Sequence, residues 1–257
     1  MKISIITAAF NSGATIADTL KSISAQTYQN IEHIIIDGAS KDNTLELVKI
    51  YGARVSAVVS EPDKGIYDAY NKGIAMVSGE IVGMLNSDDL YYSKNVIERV
   101  VKEFENPEID ACYADLVYVD KLDTNKIIRY WKSTEFKKGD FFHSFVPAHP
   151  TLFLRHSVYQ ECGLFNLEYR LAADYEFMLR IFEKYGIRSS YIPELFVRMR
   201  TGGATGKNLS NIWKQNVEIV KALREYDPGI SISKFMINKA VNRVTQRIFP
   251  HLGDGFN

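Results

Sequence analysis

A chain of 257 residues, 46% hydrophobic and 24% charged, can bury one sizeable α/β core with an appendage, or two small ones. Its 31 basic and 31 acidic residues cancel, so no net field draws it to nucleic acid, which is excluded as a partner. No apolar run reaches the roughly 18 residues of a membrane span, Asn11-Ser12 interrupts any signal-peptide core, and Cys112 and Cys162 show neither metal-ligand spacing nor a disulfide framework, so a cytoplasmic protein with reduced cysteines is expected.

Lys2 to Ala9 reads as a strand with a β-branched centre, and Ile16, Leu20 and Ile23 recur at helical spacing after the turn Asn11-Ser12-Gly13. Ile31 to Ile36, Arg54 to Val59 and Ile81 to Leu85 are further strands. They alternate with helices at Asp42 to Tyr51, around Ile66, Tyr70 and Val77, and at Asn95 to Phe104. Beyond Phe104 the pattern loosens. Ala111 to Val119 and Lys126 to Trp131 read as a strand pair, Thr151 to Leu154 as a strand, and Asp174 to Tyr185 as a helix. Two strands follow, Arg188 to Ile192 and Phe196 to Met199, then a glycine-rich loop from Thr201 to Gly206 and a helix from Leu209 to Leu223. The predicted fold is α/β, a doubly wound, mostly parallel sheet with C-terminal helices.

Three of the first four strands run directly into polar clusters: Thr7 to Asn11, Asp37 to Ser40 and Asn86 to Asp89. The carboxyl ends of parallel strands line one edge of a sheet, so these clusters should converge there. Asp88 and Asp89 repel each other unless a cation or a hydrogen-bond network offsets the repulsion. Mg²⁺ or Mn²⁺ takes carboxylate oxygens and shares its remaining positions with a substrate's phosphates. Helix capping ahead of Asn95 to Phe104 is the alternative for Asp88, Asp89 and Ser93.

Read in order over about residues 1 to 205, these clusters resemble the inverting family 2 glycosyltransferases of the GT-A fold, bacterial surface-polysaccharide enzymes above all. The pieces that carry the resemblance are Thr7-Ala8-Ala9-Phe10-Asn11, Ile36-Asp37-Gly38-Ala39-Ser40, Glu61 to Ala69 with Asn71-Lys72-Gly73, Leu85-Asn86-Ser87-Asp88-Asp89, Ala172-Ala173-Asp174-Tyr175-Glu176 and Thr201-Gly202-Gly203. The resemblance implies a glycosyltransferase domain over 1–205, with a nucleotide-binding and an acceptor-binding half, and a helical extension over 206–257. It also implies transfer, with inversion, from a nucleotide sugar (UDP favoured) to a hydroxyl of a saccharide acceptor. A polyprenyl-diphosphate-linked acceptor and a divalent metal, Mn²⁺ or Mg²⁺, belong to the same expectation.

Carried over by position, Thr7, Ala8 and Asn11 would cradle the nucleotide, with Asn86 and Ser87 contributing at the donor site. Asp37 would accept a hydrogen bond from the base, the alternative being a tight turn with Gly38. Lys64 would offset phosphate charge, and Asp68 and Asn71 would face the same pocket. Asp88 matches the metal-binding acid, with Asp89 beside it, while Asn86 replaces the first acid of the family's Asp-x-Asp signature and lowers the charge offered to the cation. Asp174 matches the catalytic base, the alternative being a helix N-cap. Glu176 is the next candidate for the base, and His149, Glu176 and Arg200 are candidates for contact with acceptor or diphosphate. The loop Thr201 to Lys207 would close over bound donor, the alternative being an ordinary flexible connection to the final helices. Two other functions stand beside this one. A sugar-phosphate nucleotidyltransferase needs a glycine-rich basic loop that Thr7 to Asn11 lacks; an inactive donor-binding scaffold has Asn86 as its support.

Ser231 to Pro250 carries four basic residues and no acid at helical spacing among apolar ones. This predicts a helix that docks on the inner leaflet of the cytoplasmic membrane, with Phe235, Met236 and Phe249 inserting, or else a packing or dimer element.

Overall fold

The computed structural model describes residues 1–202 and 209–248; Gly203 to Lys207 of the expected closing loop, and Phe249, lie outside the described residues. Strand β1 (Ile3–Ala9) is buried along its whole length, as expected where helices cover both faces of a parallel sheet. β2 (Ile31–Asp37) and β4 (Ile81–Met84) flank it in parallel, and β3 (Val55–Ser60) extends the sheet from β2. Beyond β4 the sheet becomes mixed. β8 (Phe153–Arg155) is antiparallel to both β4 and β6 (Ala111–Val119), and β9 (Ser189–Arg200) lies parallel to β6. β5 (Leu90–Tyr91) closes the far edge, giving the order β3-β2-β1-β4-β8-β6-β9-β5, with β7 (Ile127–Trp131) hairpinned onto β6.

Helices α1 (Ile16–Ser24), α2 (Thr44–Tyr51), α3 (Ile66–Ile74) and α4 (Val96–Phe104) fill the places their apolar spacing predicts. Short α5 (His156–Cys162) has no sequence counterpart, because seven residues carry too little periodicity to be seen. α6 (Ala173–Leu179) runs on as a π-helical segment, Arg180–Lys184. β9 is one strand where the sequence suggests two. Its pairing with β6 slips twice, around Asp115, and Pro193, which has no N–H to give a ladder, sits at the first slip.

Alternate residues of β1 enter different cores, Ile6 on one side and Ile3 and Ile5 on the other. The first core holds Tyr70, Tyr113, Phe177 and Phe182 together with Ile219 and Leu223 of α7 (Leu209–Tyr226) and Phe235 of α8 (Ile232–Ile248). The change near residue 205 is therefore one of secondary structure and not of core: the C-terminal helices complete the main cluster. Among the described residues no helix is long and apolar enough to cross a membrane.

Gly83 sits at a tight junction between the two kinds of sheet. It pairs with Phe153 of β8, and a Cβ there would stand 2.5 Å from the Phe153 ring at Cδ1. Gly83→Ala should cost about 1–3 kcal/mol through overpacking, read from urea midpoints, and Phe153→Leu in the same chain should restore part of it. Equal midpoints for wild type and Gly83→Ala would show that the ring moves aside freely.

Candidate active site

The loop that follows β4 is fixed from three directions. Asn86 accepts a hydrogen bond from the Tyr70 hydroxyl of α3 and donates its amide to Asp89 Oδ2 at 2.8 Å. The other Asp89 oxygen accepts the Arg200 backbone N–H at 3.2 Å. The Arg200 guanidinium donates to the Asp88 carbonyl at 2.8 Å and to Asp18 of α1 at 2.6 Å. From α1, Thr19 donates to the Asp89 carbonyl (2.7 Å) and Thr15 to the Ser87 carbonyl (2.9 Å), while the Ser87 hydroxyl meets that of Ser12 (2.8 Å).

Two expectations change here. Asp89 is 1% exposed with both oxygens engaged, so it braces the loop and is not placed to ligate a metal. Burial, with the Asp88 carboxylate beside it, pushes its carboxyl well above the usual range. Arg200 is likewise buried; it positions the loop from behind and does not face a diphosphate.

At the ends of β1 and β2 the polar side chains are turned largely on one another. Thr7 is fully buried with its hydroxyl 3.0 Å from His33 Nε2, so it does not cradle a ligand, and Ala8 is buried beside it. Burial holds the His33 pKa down to about 3, so that ring is neutral at pH 7. Asn11, in a left-handed conformation (φ 48°), accepts the Lys41 N–H at 2.9 Å and donates its own N–H to the Ser40 hydroxyl at 2.8 Å. Asp37 is also fully buried: Oδ2 accepts from Ser40 N–H (3.0 Å) and the Ser60 hydroxyl (2.7 Å), and Oδ1 from the Ser40 hydroxyl (2.5 Å). The turn alternative is the one these bonds describe. Phe10, by contrast, is 63% exposed and lies against Gly38 of that turn. An aromatic residue inside a polar turn was the available signal for it, and the sequence reading assigns it no role.

Lys64 is exposed. Asp68 accepts the Lys64 N–H at 3.0 Å and lies 3.6 Å from Lys72, which closes the first turn of α3. Asn71 exchanges hydrogen bonds with the Phe165 backbone at 2.9 and 3.0 Å. Both residues therefore serve the architecture of α3.

Asp174 lies in the first turn of α6, whose N-cap is Ala172, so the capping alternative does not hold. Its Oδ1 accepts the Tyr67 hydroxyl and the Tyr175 N–H, each at 2.9 Å. Tyr67 and Tyr70 are one turn apart on α3: one holds Asp174 and the other holds Asn86. Burial first, then the charges of Asp89, Asp174 and Asp88, push the Tyr70 hydroxyl well above its ordinary pKa. The structure thus brings together Asp174, Asn86, Asp88 and Asp89. His149 joins them from behind, its ring 6.0 Å from Tyr70 and 5.8 Å from Phe165. Its burial lowers its pKa against the pull of Asp174. Glu176 does not join. It is buried and paired with Arg180 at 2.9 Å, which removes it as a base or as an acceptor contact.

Among the described residues no group of three or more His, Cys, Asp or Glu side chains is arranged to hold a metal. Half-buried Asp88 is the acid of the pair that can meet a cation, and a Mg²⁺-like ion held by one carboxylate completes its shell with phosphate oxygens and water.

The structures that share this fold include the Staphylococcus aureus protein TarS in complex with UDP-GlcNAc (TM-score 0.66, 15% identity, 95% of this chain and 74% of that one). They also include the mannosyltransferase PcManGT of Pyrobaculum calidifontis in complex with GDP-Man and Mn²⁺ (TM-score 0.61, 16% identity, 98% and 84%). In sequence, a PGL/p-HBAD biosynthesis glycosyltransferase of Mycobacterium bovis is 28% identical over 192 residues, 74% of this chain and 73% of its own. A glycosyltransferase of Haemophilus influenzae is 28% identical over 258 residues, 95% and 78%. The sequence profile of Glycosyl transferase family 2 matches residues 4–163, well over half the chain, and the protein belongs to that family of glycosyltransferases.

Proposed function

We propose that the protein transfers a sugar, with inversion and with help from a divalent metal, from a UDP-sugar to a hydroxyl of a saccharide acceptor. The observation that carries this is the placement of Asp174. Tyr67 and the Tyr175 N–H occupy Oδ1, and Oδ2 carries neither bond and can take the acceptor's proton as the new bond forms. A single positioned base suits direct displacement at the anomeric carbon. A metal held at Asp88, when bound, would offset negative charge growing on the leaving diphosphate. The complexes of TarS with UDP and UDP-GlcNAc support the donor class, and the Mn²⁺ in the PcManGT complex supports the metal. Exposed Phe10 offers a face for the base beside the Asp37 turn.

Asn86 no longer favours an inactive scaffold, since it braces Tyr70 and Asp89 whether or not a metal is present. On the acceptor side, Ile237, Val241 and Val244 form an exposed apolar stripe on α8, which supports an acceptor carried on a polyprenyl lipid and contact with the membrane surface. Phe235 takes no part in such contact, because it is buried.

Hydrolysis of a panel of UDP-, GDP- and dTDP-sugars, with Mn²⁺ or with EDTA, tests the reading. Turnover of a UDP-sugar that EDTA abolishes is expected, and turnover confined to GDP-sugars would move the donor assignment. Asp174→Asn should lower transfer by about 10²-fold or more while leaving nucleotide affinity intact; near-normal transfer would place the base elsewhere. The two adjacent acids should separate cleanly. Asp88→Asn should lose Mn²⁺-dependent UDP binding in calorimetry with little change in unfolding. Asp89→Asn, which sets an amide against one of two N–H donors, should cost about 1–3 kcal/mol of stability.

A further inference from the structure

Helix α8 is not a loose tail. Phe235 is buried with its ring 6.5 Å from that of Tyr175, the residue after Asp174, and Asn242 donates to the Ser144 hydroxyl at 3.0 Å. Positions 235, 239 and 242 follow the i, i+4, i+7 spacing of one helical face, so Lys239 lies on the inner face between these two anchors. Its ammonium donates to Asn216 of α7 at 2.8 Å. An ammonium has three N–H donors, and among the described residues Lys239 has no carboxylate within ion-pair distance. A half-buried cation with spare donors and no described carboxylate in contact favours a ligand that supplies an anion. Arg243, one turn further on, adds a second positive charge to the same place.

We propose that the Lys239 ammonium binds a phosphate-type anion of the acceptor, on the side of α8 where Phe235 meets Tyr175, the residue next to Asp174. The proposal rests on the reading of Asp174 as the base. Acceptor and not donor is favoured because α8 packs on β7, on the Asp140–His143 turn and beside α7, all in the second half of the chain. The donor clusters lie at the ends of β1, β2 and β4. The anion could belong to a lipid phosphate or to a soluble phosphorylated acceptor, and the exposed stripe Ile237, Val241 and Val244 on the same helix favours the lipid.

Burial, with Arg243 adding to it and Asp174 opposing it, lowers the Lys239 pKa to about 8. The other charged groups on elements packed around α8 are Arg129 of β7, Asp140 and His143 of the turn, and Lys214, Glu218, Lys221, Arg224 and Glu225 of α7. Lys239 is charged below about pH 8 and neutral above it, so anion binding should be present at pH 7 and fade as pH rises through 8.

The test is calorimetric titration of inorganic phosphate and of geranyl phosphate into full-length protein saturated with UDP and Mg²⁺, from pH 6.5 to 9.5. Wild type should bind both, geranyl phosphate more tightly, with affinity falling above about pH 8. Lys239→Met should weaken both by about tenfold or more, the worth of one charged hydrogen bond. Lys239→Arg should bind and lose the pH break, because a guanidinium stays charged. UDP affinity should be the same in all three proteins. Equal binding of the two phosphates supports the anion site with a soluble acceptor. Binding by Lys239→Met equal to wild type, or a parallel fall in its UDP affinity, overturns the proposal. The titration needs no turnover, so its failure is distinct from failure of the donor panel.

Discussion

A carboxyl group almost without solvent contact must be met by donors, and meeting Asp89 organises this molecule. Its two oxygens take an amide from its own loop and an N–H from the last residue of β9, more than a hundred positions away in sequence. The Arg200 guanidinium then ties the same loop to α1 through Asp18. Three elements that share no local sequence are thereby registered on one tight turn. Asp88, the neighbour of the buried acid, is left at the carboxyl end of β4 with its carbonyl already fixed by Arg200. Rigidity of this kind fixes where the Asp88 backbone sits at the edge of the sheet.

Helix α3 carries that order across to the other acid. Gly73 lets it lie close on β1, since a Cβ there would come within 2.5 Å of Ile6 Cγ2. Close packing sets Tyr67 and Tyr70 over the edge of the sheet, where their hydroxyls reach Asp174 and Asn86 respectively. Their rings pack with Phe165, whose backbone Asn71 holds one turn along the same helix. A single short helix thus spaces Asp174 from the loop after β4. The spacing is set by helical geometry and not by a flexible connection.

The strand ends were legible in the sequence because hydrophobic runs stopping at polar clusters follow from the parallel sheet itself. Ile3 to Ala9, Ile31 to Asp37 and Ile81 to Met84 form as their residues predict. Which polar residue faces inward was not legible. Thr7 and Asp37 look like ligand groups in a string of letters, yet both are consumed by neighbours that only the folded sheet brings near, His33 for one and Ser60 for the other. Asp88 and Asp89 are the same residue type one position apart, and the difference between them comes from β9. Glu176 is removed by Arg180, four residues on, a pairing that the helical spacing did allow to be read. Tyr67 and Phe10 escaped notice because an aromatic residue near an apolar pattern is read as core.

The tail shows the same limit and what lies behind it. Its basic and apolar residues predict an amphipathic helix, and the helix forms, but amphipathicity does not say which side is covered. Phe235 enters the main core with Phe177 and Phe182, while Ile237, Val241 and Val244 stay outside. A helix with apolar residues on both sides is held to the protein by one of them and still presents the other. The inner side ends on Tyr175, next to Asp174, so a rigid element links the outer side of α8 to the start of α6. The C-terminal helices thus belong to the main core of the molecule, although the motifs of the family end before them.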